Sequence, residues 1–170
     1  DVMAWVLEAA TGQRFADLVS VRVWKPIGAE QSAGITVDVS GFTLASGGMF
    51  ATLRDTARIG QLIINRGKVG NRQVIPELWI DDIFDQKGDA TLPHLSTESI
   101  DPYYRSFVWG VGDGQGTVLA RGVHGQFIYV SPSTGMVIAM YSSWPNADGG
   151  SPDVGFTAAM AILESIKNSI

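Results

Sequence analysis

Between residues 106 and 142 the chain alternates apolar runs with tight-turn residues: "SFVWGVG", "DGQG", then "VHGQFIYV", "SPSTG" and "MVIAMYS". Short runs rich in Val, Ile, Phe and Tyr, broken by Gly-, Pro- and Ser-bearing turns, pair as antiparallel strands. No other stretch restricts the fold as strongly. Three strands joined this closely form a meander, and a meander with apolar side chains needs a cover. A cover follows in sequence. Ser151 and Pro152 suit a helix start, and Val154, Ala158, Ala161 and Ile162 then fall on one helical face.

The upstream part has a different period. "DVMAWVLEAATG" places Val2, Val6, Ala9 and Met3, Leu7, Ala10 at three- and four-residue spacings, and Gly12 suits the C-terminal cap. Phe15 to Trp24 reads as a weaker helix closed by Pro26 and Gly28, and residues 30 to 47 read as loop. Thr52 opens the clearest helix, with Asp55 approximating the partner of a capping box. Its stripe runs through Leu53, Ala57, Gly60 and Ile64, widened by Ile59, Leu62 and Ile63. Pro76 begins a fourth helix, "PELWIDDIFD". Helices, then an antiparallel meander, then a covering helix make an α+β fold: residues 1–105 mainly helical, residues 106–170 sheet and C-terminal helix. Asp1 is not Met and the helical repeat is already under way at Val2, so a longer parent chain is expected.

Composition removes several classes of function. At 170 residues the chain supports one core of ordinary size. A net charge of −5 without a Lys/Arg run argues against nucleic-acid and polybasic membrane partners. There is no cysteine, so disulfide frameworks and thiolate chemistry are excluded. Only His94 and His124 offer imidazole, which gives no metal site, and no cofactor is expected. His94 lies in a polar loop and reads as solvated. "GDGQG" at 112–116 lacks the Lys of a phosphate loop and reads as a hairpin turn; "NADGG" at 146–150 lacks calcium-loop spacing.

The meander's middle strand opens oddly, with Gly122, Val123, His124, Gly125 and Gln126. By alternation His124, Gln126, Ile128 and Val130 face one way, and Val123, Gly125, Phe127 and Tyr129 the other. Two readings fit a polar pair beside bare glycine backbone: an edge-strand bend with a surface histidine, or an opening for something to approach the backbone. No Gly-x-Ser-x-Gly, Ser-x-x-Lys, Tyr-x-Asn, Ser-Asp-Asn or Lys-Thr-Gly is present, so the residues show no nucleophile with its base.

Three segments together resemble a known family. "SGGMFATLRDTARIGQLIINRGKVGNRQVIP" is similar to the helix-and-turn segment of penicillin-recognising serine hydrolases related to class C β-lactamases. "FVWGVG" with "GVHGQFIYVSPSTGMVIAMYSSWP" resembles more narrowly the 6-aminohexanoate-dimer hydrolase branch. "MAWVLEAATGQRFADLV…KPIGAE" is similar to the helices that follow the family's Tyr-x-Asn motif.

The resemblance implies a β-lactamase-like fold and acyl transfer through a serine, with the oxyanion held by two backbone N–H groups. It puts one donor at the Val123 backbone and places His124-Gly125-Gln126 about where β-lactamases have Lys-Thr-Gly. By the same resemblance His124 orients or hydrogen-bonds the substrate, Trp109 walls the acyl pocket, and Asp148 lies where a cationic substrate amine can be held. Ordinary core packing for Trp109 and a solvated loop for Asp148 are the competing readings. The missing lysine charge favours an amide or ester substrate. The serine, its lysine and the tyrosine are expected upstream of Asp1, so this chain is expected to be inactive alone and to self-associate through surface the upstream part would cover. Esterase, D-amino-acid peptidase and β-lactamase activities remain open within the family, and a non-catalytic binding module of the same fold is the rival outside it.

Overall fold

A computed structural model describes residues 1–85, 103–147 and 154–169. His94, Asp148 and the Ser151–Pro152 helix start lie outside the described residues.

Helix α1 spans Val2–Thr11 and ends at Gly12, whose left-handed φ of 65° lets its N–H return to the Glu8 carbonyl at 2.8 Å. Only Ala4 of α1 is buried; Val2 and Met3 are 66% and 63% exposed, and Trp5, Val6 and Leu7 are exposed too. Its apolar repeat is thus left largely exposed, although Trp5 beside it packs against Phe42 at 5.4 Å. Helix α2 (Phe15–Val19) runs into a π-helical turn at Ser20–Trp24. The stretch read as loop forms a small hairpin, β1 (Gly34–Ile35) on β2 (Met49–Phe50), extended by a Val37–Thr43 bridge. Asp38 makes the turn possible: its Oδ1 accepts from the N–H groups of Ser40 (2.8 Å) and Phe42 (2.9 Å).

Helix α3 (Leu53–Ile64) starts where the capping residues predict, with Thr52 Oγ1 accepting from Asp55 N at 3.2 Å. The reciprocal half of the box is replaced by something longer in reach. The Asp55 carboxylate accepts from Glu30 N (2.8 Å), Gln31 N (3.1 Å), Thr52 Oγ1 and Arg58 Nη1 (2.6 Å). Those bonds, that from Glu30 N first, hold the carboxylate below its usual range against the opposing effect of burial. They also pin loop 30–31 to α3. A short hairpin follows, β3 (Lys68–Val69) on β4 (Arg72–Gln73), and then α4 (Glu77–Phe84) capped at Pro76.

The meander exists, and it has five strands where the sequence showed three: β5 (Tyr103–Arg105), β6 (Val108–Gly110), β7 (Val118–Gly122), β8 (Gln126–Ser131) and β9 (Met136–Met140), in that order and antiparallel throughout. Strand β5 is only three residues long, and Val118-Leu119-Ala120-Arg121-Gly122 has no alternation to reveal it, because Val118 and Leu119 are buried on opposite faces. Both faces of the sheet are covered. Val108, Val118 and Val130 pack under Ile63 of α3 and Ile80 and Ile83 of α4. Leu119, Phe127 and Tyr129 pack under Ala159 and Leu163 of α5 (Val154–Lys167). The α5 face that meets the sheet is Ala159, Leu163 and Lys167, not the Val154–Ile162 face predicted; Val154 and Ile162 are 65% and 55% exposed. A helix apolar on several sides leaves the choice of buried face to the sheet.

Gly60 sets how closely α3 approaches that sheet. A Cβ there would lie 2.5 Å from Val137 Cγ1 and 2.8 Å from Ile128 Cγ2. Alanine is favoured over glycine inside a helix by about 1 kcal/mol, whereas overpacking a tight core costs about 1–3 kcal/mol. Gly60→Ala is therefore expected to lower unfolding stability by up to roughly 2 kcal/mol in urea titration; a more stable variant would contradict this close helix–sheet contact.

Candidate functional site

The odd opening "GVHGQ" is a hairpin turn, not the start of a strand. Strand β7 ends at Gly122, Val123–Gly125 form one 3-10 turn, and β8 begins at Gln126, with Gly122 and Gln126 facing each other across the ladder. The reversal comes from two successive left-handed residues, His124 (φ 58°) and Gly125 (φ 83°). This corrects the alternation read from sequence. His124 lies on neither face of β8, while Ile128 and Val130 face α3 and Phe127 and Tyr129 face α5. A non-glycine residue in that region carries strain, and something must hold it.

Trp144 and its neighbours hold it. His124 N donates to the Ala147 carbonyl at 2.8 Å, and the His124 carbonyl accepts from Trp144 N at 3.2 Å. The imidazole Nδ1 lies 2.8 Å from the Trp144 carbonyl. Gly125 is buried flat against the indole: a Cβ there would stand 2.5 Å from Trp144 Cε2. The indole rests in turn on Phe127 at 5.5 Å and Phe127 on Phe156 at 6.0 Å, with the Arg121 guanidinium 4.2 Å above the Phe156 ring.

Gln126 completes the brace. Its Nε2 donates to Ser142 O (2.6 Å) and His124 O (3.2 Å), and its Oε1 accepts from Ser142 N (3.4 Å). One residue before Ser142, the Tyr141 hydroxyl bonds Thr56 and donates to Ala51 O at 3.3 Å, so the end of β9 is tied to the start of α3. The Val123 side chain is left 64% exposed at the tip, and His124 is exposed beside it.

The structure thus brings Val123, His124, Gly125 and Gln126 into one braced turn. Trp109 is not part of it. It lies on β6 opposite Leu119, three residues back along β7 from Gly122, or about 10 Å along the strand. Its half-buried ring tilts against Tyr104 at 4.7 Å and packs beside the cluster under α5. Trp144, Ser142 and Tyr141 were missed in the sequence. The only signal for Trp144 was Gly125 itself, which announces a close neighbour without saying which.

A cavity of about 370 Å³ lies elsewhere, between α2 and the β1–β2 hairpin, with Arg14, Trp24, Lys25, Thr43 and Met49 in its wall. None of the turn residues lines it, and no side-chain bond joins its Lys25 to Ser20 or Ser32. It contains no nucleophile with a base.

Comparison with known proteins identifies the family and the fold. The beta-lactamase family model matches residues 1–156. A 6-aminohexanoate-dimer hydrolase of Paenarthrobacter ureafaciens is 34% identical over 151 residues, covering 87% of this chain and 38% of the relative. A solved structure from Bacillus anthracis, assigned as a 6-aminohexanoate-dimer hydrolase, superposes with a TM-score of 0.78 at 30% identity over 97% of this chain and 42% of its own. A second, from Bacteroides dorei and assigned as a beta-lactamase, gives 0.59 at 17% identity over 82% and 47%, a likeness of fold. The chain therefore spans less than half the length of each of these proteins.

Proposed function

Because the chain belongs to the beta-lactamase family, we propose that it is the C-terminal part of a serine hydrolase that cleaves amide or ester bonds through an acyl-enzyme. One observation carries the reading: the β7–β8 turn presents the Gly122–His124 segment at the surface, braced from behind by Trp144 and Gln126. Oxyanion stabilisation needs that combination, since donors fixed in advance cost no reorganisation when charge develops. In this reading the Val123 N–H is one oxyanion donor, and His124, Gly125 and Gln126 form the wall the substrate meets. Gln126 does so through its backbone, because its amide is occupied by Ser142 and His124. Trp109 borders the acyl pocket, and Asp148 receives a cationic group of the substrate.

The nucleophile comes from outside these residues, which contain no Ser-x-x-Lys and no Tyr-x-Asn. The names of the relatives support an amide of the 6-aminohexanoate type as first substrate to try. A serine-acylating probe followed by intact-mass measurement is expected to label the longest chain the gene encodes and to leave the 170-residue chain unlabelled. Labelling of the short chain would place a nucleophile within it. A folded long chain that stays unlabelled would reject acyl transfer and leave a ligand-binding module.

A further inference from the structure

We propose that His124 serves this site as a hydrogen-bond acceptor through Nε2, and that the substrate therefore brings a donor to it, an amide N–H or an ammonium group, where a carboxylate is disfavoured. The inference rests on the acyl-transfer reading of the turn and adds the chemistry of the group that the substrate must present.

The geometry settles which ring nitrogen carries the proton. Nδ1 lies 2.8 Å from the Trp144 carbonyl oxygen. A carbonyl only accepts, so Nδ1 must donate, and the ring, which we take in its neutral form, has a single N–H. Nε2 is then a bare lone pair. Among the described residues nothing bonds it, and the side chain is exposed.

The ring is also not free to turn its other edge outward. His124 is fixed by its own N–H to Ala147 and its carbonyl to Trp144, and Trp144 is seated between Gly125 and Gly155, where a Cβ on Gly155 would stand 3.1 Å from the indole. Rotating the imidazole would strand the Trp144 carbonyl and give up a bond that the backbone clamp aligns. Trp144 is thus a positioning residue: its ring fixes the turn and its carbonyl fixes the tautomer.

An acceptor at this place has the opposite sign to the lysine that the family's Lys-Thr-Gly motif supplies. An ammonium attracts a carboxylate; a lone pair repels it and attracts N–H.

Two measurements test this. Long-range 1H–15N correlation on histidine-labelled protein, with His124→Gln to separate His124 from His94, should show His124 protonated at Nδ1 and bare at Nε2. A ring protonated at Nε2, whether alone or together with Nδ1, would overturn the proposal. In the full-length hydrolase, paired acyl substrates that differ only in a neutral amide versus a carboxylate beside the scissile bond should differ in kcat/KM by about tenfold or more in favour of the amide, about 1.4 kcal/mol. His124→Lys should reverse that order. Turnover of both substrates without preference, or a ratio unchanged by His124→Lys, would overturn the role of His124 alone. Turnover of neither would reject the acyl-transfer reading itself and the substrate assignment with it.

Discussion

Lys167→Ala is expected to lower unfolding stability by about 3–5 kcal/mol, the cost of leaving one partner of a buried ion pair behind. Lys167 is 5% exposed near the end of α5. Its Nζ donates to Asp113 Oδ2 at 2.7 Å and to Thr117 Oγ1 at 3.4 Å, and stands 3.6 Å from Glu164. Tyr129, fully buried in β8, donates its hydroxyl to Glu164 at 2.6 Å. These bonds lock α5 to the β6–β7 turn, where Asp113 also accepts from Gln115 N (2.9 Å) and Thr117 N (3.3 Å). "GDGQG" is thus a hairpin turn, as read, and its aspartate has structural work to do. At about 2–4 °C per kcal/mol for a chain of this size, the variant should melt roughly 6–20 °C lower. A loss under about 1 kcal/mol in urea titration would mean that the pair is solvated in solution.

The same pair predicts an acid limb. Burial pushes the Asp113 carboxyl up, but the bonds from Lys167, Thr117 and Gln115 outweigh it and hold the group below its usual range. A carboxyl depressed in the folded state contributes stability that is complete above its unfolded value, near pH 4, and is lost as pH falls through the lower folded value. Asp55 and Asp82 are depressed as well, the latter chiefly by the Ser106 hydroxyl and Arg105. Combining Asp113→Asn with Lys167→Met should flatten the loss of stability below about pH 4 without the cost of the single change, because the pair is removed together.

Sequence legibility divides along physical lines. Elements whose signal is local were readable: Gly12 ends α1, Thr52 caps α3, and Pro76 precedes α4. Strand β8 was readable because Phe127-Ile128-Tyr129-Val130 is apolar on both sides, as a strand covered on both faces must be. Strand β7 was not, since its two buried residues are followed by Ala, Arg and Gly. The buried face of α5 depended on Leu119 and Phe127, far away in sequence. At the β7–β8 turn the unusual Gly122–Gln126 run was legible and its conformation was not. Nothing in "VHG" marks His124 as left-handed, because that backbone is imposed by Trp144 and Ala147, about twenty residues on.

Gly125→Ala carries the largest consequence for the site. Gly125 has φ 83°, where an added Cβ costs about 1–2 kcal/mol. The new methyl would also drive into the indole, with Trp144 Cε2 at 2.5 Å and Cδ2 at 2.7 Å. The neighbour cannot yield cheaply, because the Trp144 ring also packs against Phe127 at a tilt and lies close to Gly155. Overpacking of that kind adds about 1–3 kcal/mol, for a total near 2–5 kcal/mol. Strain and clash share one remedy, which is to let the turn relax. A relaxed turn keeps β7 and β8 paired but moves the Val123 N–H and releases His124 Nδ1 from the Trp144 carbonyl. On the proposed acyl-transfer reading, the full-length chain carrying Gly125→Ala should therefore lose about 100-fold or more in kcat with little change in KM, the loss expected when the proposed oxyanion donor is misplaced. Gly125→Ala combined with Trp144→Phe gives the methyl more room and should recover part of the stability. It should not recover kcat, because the backbone at position 125 still resists φ 83°. Recovery of kcat in step with stability would show that the glycine is needed for packing alone, and would remove Val123 as an oxyanion donor.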